Sequence, residues 1–221
     1  MNQSFEQQGF TVVPNVLSSS EQQRLIDAIG PVTGAGRRGL LSLPVIAQLA
    51  SSSRFLDLVR PYLPSGPRPV RAIYFDKSPG TNWMVAWHQD LTLALRARVD
   101  VPGFGPWSMK NDIPHVQAPT GLLEQMLTLR LHLDDCDDTN GALRVIPGSH
   151  RMGRIPATRN RELREQLPDF VCRLSAGDVL LMRPLLLHAS SRSKSTRHRR
   201  VLHIEYAAFS LPAQLQWHES A

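Results

Sequence analysis

Two patterns of apolar and polar positions follow one another along the chain. In the first, "GFTVVPNVLSSSEQQRLIDAIG" predicts a short strand, a serine-rich cap and an amphipathic helix. One of Ser18–Ser20 is a natural N-cap, Glu21 falls in the first turn and Gly30 marks the stop. "LPVIAQLASSSRFLDLVRPYL" adds two short helices broken at Ser51–Ser53, and "PSGPRP", residues 64–69, is a stiff connector. From Val70 onward the pattern changes to short apolar runs bounded by Gly, Pro, Asp or Asn: "VRAIYFDK", "MVAWHQD", "LTLRLHLDD", "ALRVIPGSH", "GDVLLMRPLLLHAS" and "RRVLHIEYAAF". Each is expected to be a strand, and strands at that spacing suggest an antiparallel sandwich or barrel. Residues 96–121 stand apart, with little periodicity and much Pro and Gly, and are expected to form a lid or binding loop.

Length and composition narrow this picture. A chain of 221 residues fills one domain and is short for two, so residues 1–221 are read as one domain with a helical part (1–69) and a β core (70–221). Two cysteines, Cys136 and Cys172, without paired spacing, argue against a disulfide framework or a zinc–thiolate site and make a reducing cytoplasm the expected home. No signal peptide is read at the N-terminus, and no apolar run approaches the roughly 20 residues of a membrane span. The net charge of +6 is concentrated in residues 144–164 and 192–200. Those clusters fit a solvated basic face or an anionic small molecule; no nucleic-acid module accompanies them. Oligomeric state is not legible.

The candidate chemistry begins with His88 and Asp90. On a strand these two side chains share a face while Gln89 points away, and an imidazole with a carboxylate suits a divalent first-row metal. Alone they fit an exposed polar kink equally well. His188 ends an apolar run, as a satisfied core histidine or as a ligand presented to a cavity, and Arg199 opens another. An inward guanidinium there requires a carboxylate partner. Two histidines, an aspartate and an inward arginine together describe a non-haem Fe(II) centre with an oxo-acid cosubstrate.

The segments "NWMVAWHQD", "LRLHLDDCDDTNGALRVIPGSHR" and "GDVLLMRPLLLHASSRSKSTRHRRVLHIEY" resemble the phytanoyl-CoA dioxygenase family, as does the opening "GFTVVPNVLSSSE". The resemblance implies a double-stranded β-helix (jelly roll, cupin-like) with N-terminal helices packed on it. It also implies dependence on Fe(II), 2-oxoglutarate and O2. Carried over residue by residue, the iron ligands fall on His88, Asp90 and His188. The arginine for the distal carboxylate of 2-oxoglutarate falls on Arg199, with Arg197 and Arg200 as alternatives. An assisting hydroxyl falls on Ser190 and an aromatic neighbour of the cosubstrate on Trp107. Halogenating relatives lack the carboxylate ligand, so Asp90 favours hydroxylation of a small molecule. Two alternatives stay open: a catalytically silent β-helix that binds metal or ligand, and a cupin-like metalloenzyme with no keto acid.

Arg38 and Arg71 are expected either to reach the pocket or to lie at the surface, with Arg71 sharing a strand face with Ile73 and Phe75. His115 and Gln117 are candidates for substrate contact. His150 reads as structural, and His203 as a weaker competitor to His188. "DDCDDTNGAL" lacks the ligand spacing of a calcium loop, and Asn140–Gly141 signals a hairpin. No nucleophile elbow is present.

Overall fold

A computed structural model describes residues 3–219. The N-terminal part runs α1 (Gln3–Gln8), β1 (Phe10–Val13), α2 (Ser19–Ile29), β2 (Gly36–Arg38), α3 (Pro44–Ala50) and α4 (Ser53–Val59). The β-rich part opens with β3 (Arg68–Lys77), β4 (Val85–His88), β5 (Thr92–Ala94), β6 (Trp107–Lys110), β7 (Ile113–Gln117) and the short α5 (Thr120–Leu123). It continues with β8 (Met126–His132), β9 (Leu143–Val145), α6 (Asn160–Gln166) and β10 (Phe170–Cys172). The chain ends on β11 (Val179–Met182), β12 (His188–Ser190) and β13 (Arg199–Ala207).

The first helices form where local chemistry dictates. Ser18 closes a capping box with Glu21: its hydroxyl accepts from the Glu21 amide, and the Glu21 carboxylate accepts from the Ser18 amide at 2.9 Å. Gly30, at φ 72°, ends α2. Ser52 caps α4 more simply, its hydroxyl accepting from the Phe55 amide, and separates it from α3.

All strand pairs are antiparallel. A six-stranded sheet in the order β1-β11-β8-β13-β3-β2 faces a four-stranded sheet in the order β10-β9-β12-β4, and β5-β7-β6 form a third, small sheet. The two larger sheets make a double-stranded β-helix. Alternation along the large sheet sends Leu127, Leu129, Leu131, Leu202, Ile204 and Tyr206 to its outer face, where Phe5, Leu25, Ile46 and Phe55 of the helices cover them. Each of these buried side chains contributes roughly 2 kcal/mol, so the helices are the second wall of the core. Tyr206 adds a hydrogen bond from its hydroxyl to the Ala50 carbonyl at 2.8 Å. The alternate positions, facing the four-stranded sheet, include many polar residues: Arg71 and Lys77 on β3, Thr128, Arg130 and His132 on β8, Arg199, His203 and Glu205 on β13, all buried. A β-sandwich interior that polar has to be a site, a network, or both.

Four sequence expectations need correction. Residues 96–121 are not one irregular lid: β6 and β7 form a hairpin whose two-residue turn, Asn111–Asp112, holds both residues at positive φ (51° and 60°), with Lys110 opposite Ile113. The hairpin pairs with β5, and Pro114 and the flanking glycines had masked its alternation. The N-terminal part, read as helical after one short strand, carries a second strand: the expected β1 and the unexpected β2 form the two edges of the large sheet. "GDVLLMRPLLLHAS" is two strands in different sheets; the chain turns at Arg183–Leu186, where the Leu186 amide donates to the Arg183 carbonyl. Asn140–Gly141 makes no hairpin, because β8 and β9 lie in different sheets. The turn is a sheet-to-sheet crossing in which Gly141, at φ 77°, leaves no space for a Cβ against the Ser191 carbonyl.

Candidate metal centre

β12 pairs with β4 in a register that sets His188 directly opposite His88, with ring centroids 4.2 Å apart. Asp90 lies two residues beyond the end of β4, held by its amide donating to the Pro184 carbonyl at 2.9 Å. One nitrogen of each histidine and one carboxylate oxygen of Asp90 lie within 4.8 Å of one another. The Asp90 oxygens stand 3.6 Å from Nε2 of His88 and 3.6 Å from Nε2 of His188. Ligand bonds of about 2.1 Å would put adjacent ligands about 3 Å apart, so small side-chain rotations close this set on one ion.

The tautomers suit that role. Nδ1 of His88 lies 2.8 Å from the Ala86 carbonyl, and Nδ1 of His188 lies 2.8 Å from the Leu186 carbonyl. A carbonyl only accepts, so both Nδ1 atoms carry the hydrogen and both Nε2 lone pairs face Asp90. Burial lowers the His188 pKa to about 4, leaving it neutral and able to coordinate. At His88 burial opposes protonation, but the hydrogen bond and charge of Asp90 outweigh it and the pKa rises. For Asp90, burial opposes ionisation and the two imidazoles outweigh it, so the carboxyl sits well below its ordinary range. The donor set is two imidazole nitrogens and a carboxylate oxygen on one side of an open position, which fits Fe(II). The His188 side chain is 5% exposed and that of His88 40%, so the mouth lies on the His88 side.

Gln89 points away from the ligands and clamps the loops behind them. Its amide nitrogen donates to the carbonyls of Leu185 (2.6 Å) and Gly153 (2.8 Å), and its oxygen accepts from the Ile155 amide (2.8 Å).

The three ligand residues share one cavity with Phe75, Trp83, Arg130, Ser190, Arg199 and His203. Arg199 is 2% exposed, and its Nε and Nη1 have no hydrogen-bond partner. Burial depresses its pKa; Cys136 acts against that most strongly, and Asp76 and Asp134 through space. The neighbouring Arg197 and Arg200 are instead spent on Asp137 (2.8 Å) and Asp134 (2.6 Å). Ser190 accepts a hydrogen bond from the Lys77 ammonium at 2.9 Å, which leaves its hydroxyl hydrogen free to be given elsewhere.

Two expected site residues lie elsewhere. Trp107 is not on the cavity wall; it packs with the Leu93–Val116–Trp217 cluster, and Trp83 is the indole that lines the cavity. Arg71 is buried but engaged, donating to Glu205 at 3.0 Å and to Nε2 of His115 at 3.2 Å. His203 does not join the ligands. Its Nδ1 lies 2.9 Å from Nη1 of Arg130, and its Nε2 lies 3.3 Å from Glu205. His150 faces the Glu6 carbonyl, far in the fold from the centre, and Gln117 pairs with Thr92 in the small sheet. Arg130, Lys77 and Trp83 were missed. The signal for Arg130 was present in "TLRLH", where polar residues alternate through a strand buried on both faces.

Comparison with known proteins agrees with this architecture. The chain is 28% identical over 187 residues to a probable alpha-ketoglutarate-dependent hypophosphite dioxygenase of Stutzerimonas stutzeri; the match covers 76% of this chain and 54% of that protein. The chain thus spans about half the length of that relative. Among solved structures, the non-heme alpha-ketoglutarate-dependent epimerase SnoN of nogalamycin biosynthesis superposes with a TM-score of 0.70 at 18% identity, over 92% of this chain and 80% of that one. HygX from Streptomyces hygroscopicus, with nickel and 2-oxoglutarate bound, superposes with a TM-score of 0.63 at 22% identity, over 94% and 87%. At these identities the likeness is one of fold. The model of the phytanoyl-CoA dioxygenase (PhyH) family matches residues 44–201, a span that includes His88, Asp90, His188 and Arg199, and the chain belongs to that family.

Proposed function

We propose that the protein is an Fe(II)- and 2-oxoglutarate-dependent oxygenase that hydroxylates an unactivated carbon of a small molecule and releases succinate and CO2. The observation that carries this reading is one cavity holding His88, Asp90 and His188 together with a buried, unpaired Arg199. A cupin-like enzyme with no keto acid has no use for that guanidinium, whereas a dicarboxylate cosubstrate answers it.

In this reading the two imidazoles and the Asp90 carboxylate hold the metal on one side and leave the other open. Arg199 binds the distal carboxylate of 2-oxoglutarate, and Ser190, fixed by Lys77, gives its hydroxyl hydrogen to the same group. Iron held by these three residues would supply the oxidation, with one oxygen atom of O2 going to succinate and the other to the substrate. The β12–β4 pairing keeps the ligands aligned, and the surrounding sheets restrict water. Asp90, as a carboxylate ligand, favours hydroxylation over halogenation. The two cysteines, both free and buried, suit the cytoplasmic location that is part of the proposal, and no helix among the described residues is long and apolar enough to cross a membrane.

The test is anaerobic reconstitution with Fe(II), followed by O2-dependent succinate release from 2-oxoglutarate. The substrate panel contains acyl-CoA thioesters, amino-acid derivatives and, because of the relative's name, hypophosphite. Succinate formation lost on His88→Ala is expected. No turnover with iron verifiably bound would favour a β-helix that binds without catalysing.

A further inference from the structure

Arg130 is 6% exposed, lies on the cavity wall and is the guanidinium nearest the centre of the β8–β13 pairing, opposite His203. A carboxylate would ordinarily answer a buried guanidinium, and among the described residues none pairs with it. Its Nη1 donates to Nδ1 of His203, its Nε has no partner, and Phe75 lies 5.8 Å beneath it. His203 is consequently the neutral tautomer that gives its Nε2 hydrogen to Glu205. Glu205 is already bonded to Arg71, and the two neutralise each other.

The charges of the cavity are therefore easily followed. Its lining carries one carboxylate, Asp90, and two guanidiniums, Arg130 and Arg199. On the reading proposed above, Fe(II) and the 2-oxoglutarate dianion cancel, Asp90 is spent on the metal and Arg199 on the distal carboxylate. Arg130 is left over, with Lys77 close behind it on Ser190 and Ser191. Burial lowers the Arg130 pKa to about 10, so it stays charged at neutral pH.

The surface beyond Phe75 has the same sign. Phe75 forms a wall of both the metal cavity and a neighbouring surface groove that includes Arg37, Arg38 and a single carboxylate, Asp112. Lys110, next in the chain to the groove's Asn111, stands exposed beside it. We infer that the substrate is a small oxyanion-bearing molecule, a carboxylate, phosphonate or phosphate, whose acid group is held by Arg130 while the groove around Arg38 and Lys110 steers it inward. This rests on the oxygenase reading and goes beyond it by naming the substrate class and the residue that selects it.

The experiment uses the Mn(II)-loaded protein, anaerobic and saturated with 2-oxoglutarate, in calorimetric titrations. The 2-oxoglutarate titration comes first: its failure would sink the oxygenase reading, and the anions would then be titrated into the metal-free protein to test the Arg130 site separately. The probes are acetate, methylphosphonate and inorganic phosphate, each against an uncharged counterpart (methyl acetate, dimethyl methylphosphonate, trimethyl phosphate). At least one anion is expected to bind one to one, with no binding of its counterpart. Arg130→Gln should weaken that anion roughly tenfold or more and leave the 2-oxoglutarate Kd within about threefold, and Arg130→Lys should recover part of the loss. Lys110→Gln, at an exposed position, should weaken it a few-fold, more so at low salt. Equal binding of the counterparts, or no anion binding at tens of millimolar, would overturn the inference. So would an Arg130→Gln effect confined to 2-oxoglutarate, which would place the keto acid on Arg130. Should Arg130→Gln fail to fold by its melting curve, the anion–counterpart comparison and Lys110→Gln decide.

Discussion

Replacing Arg199 by methionine should have opposite consequences for the fold and for the cosubstrate. Arg199 is 2% exposed, with two of its nitrogens unbonded, so the ligand-free protein carries a buried charge that no carboxylate of the described residues pairs with directly. Methionine fills similar length without that charge, and such replacements are commonly neutral or stabilising by about 1–4 kcal/mol. With 2-oxoglutarate the sign reverses, because hydrogen bonds to charged groups contribute roughly 1.5–3 kcal/mol each. A loss of about 3 kcal/mol raises the 2-oxoglutarate Kd more than a hundredfold. At a cosubstrate concentration of 100 Kd the wild type gains about 2.7 kcal/mol from binding, and the variant gains almost nothing. Urea or thermal melts of both proteins, metal-loaded, with and without 2-oxoglutarate, read all four states. An Arg199→Met protein clearly less stable than wild type without 2-oxoglutarate would show that Arg199 is structural. An unchanged Kd would remove it from the cosubstrate site.

Other outcomes follow from the same geometry. His88→Ala should abolish metal binding yet leave the metal-free fold within about 1 kcal/mol of wild type, as read by metal content and urea midpoint, since the side chain is 40% exposed. A collapsed fold would make His88 structural. Lys77 gives a pH signature: burial, then Arg199, depress its pKa from 10.5 to about 7. The unfolded chain therefore binds the extra proton between those values, and this contribution to stability is full above about pH 10.5 and lost as pH falls to about 7. Lys77→Met should flatten that slope in melts from pH 7 to 10; an unchanged slope would refute the assignment. Gln89→Ala removes a clamp of three hydrogen bonds at an 8% exposed position and should cost at least about 2 kcal/mol by urea denaturation. A loss below half that value would mean that the loops hold themselves.

The parts legible in the sequence are those in which one residue type has one physical role. Ser18 with Glu21 specifies a capped helix start, and His88 with Asp90 at i and i+2 specifies two polar side chains on one strand face. The failures arise where a pattern has two structural outcomes. The apolar stretch "GDVLLMRPLLLHAS" reads as one strand because Pro184 is compatible with an edge position as well as a corner, and only the sheet topology separates β11 from β12. Asn140–Gly141 has the chemistry of a tight turn, but its neighbours leave for different sheets. For the site, Arg199 is legible as a cation at the mouth of an apolar run, although Arg197 and Arg200 beside it fit the same pattern until the structure pairs them with Asp137 and Asp134. Arg130, equally buried, was lost among the leucines of "LTLRLHL", since the partners that set its role, His203 and Phe75, come from β13 and β3 and are visible only in three dimensions.

The most direct test of the central claim is an anaerobic titration that follows Fe(II) and 2-oxoglutarate binding in one sample. One Fe(II) per chain is expected, then a visible charge-transfer band that grows with one equivalent of 2-oxoglutarate and is absent from His188→Ala. Iron bound with no such band, or a band that survives loss of His188, would contradict it.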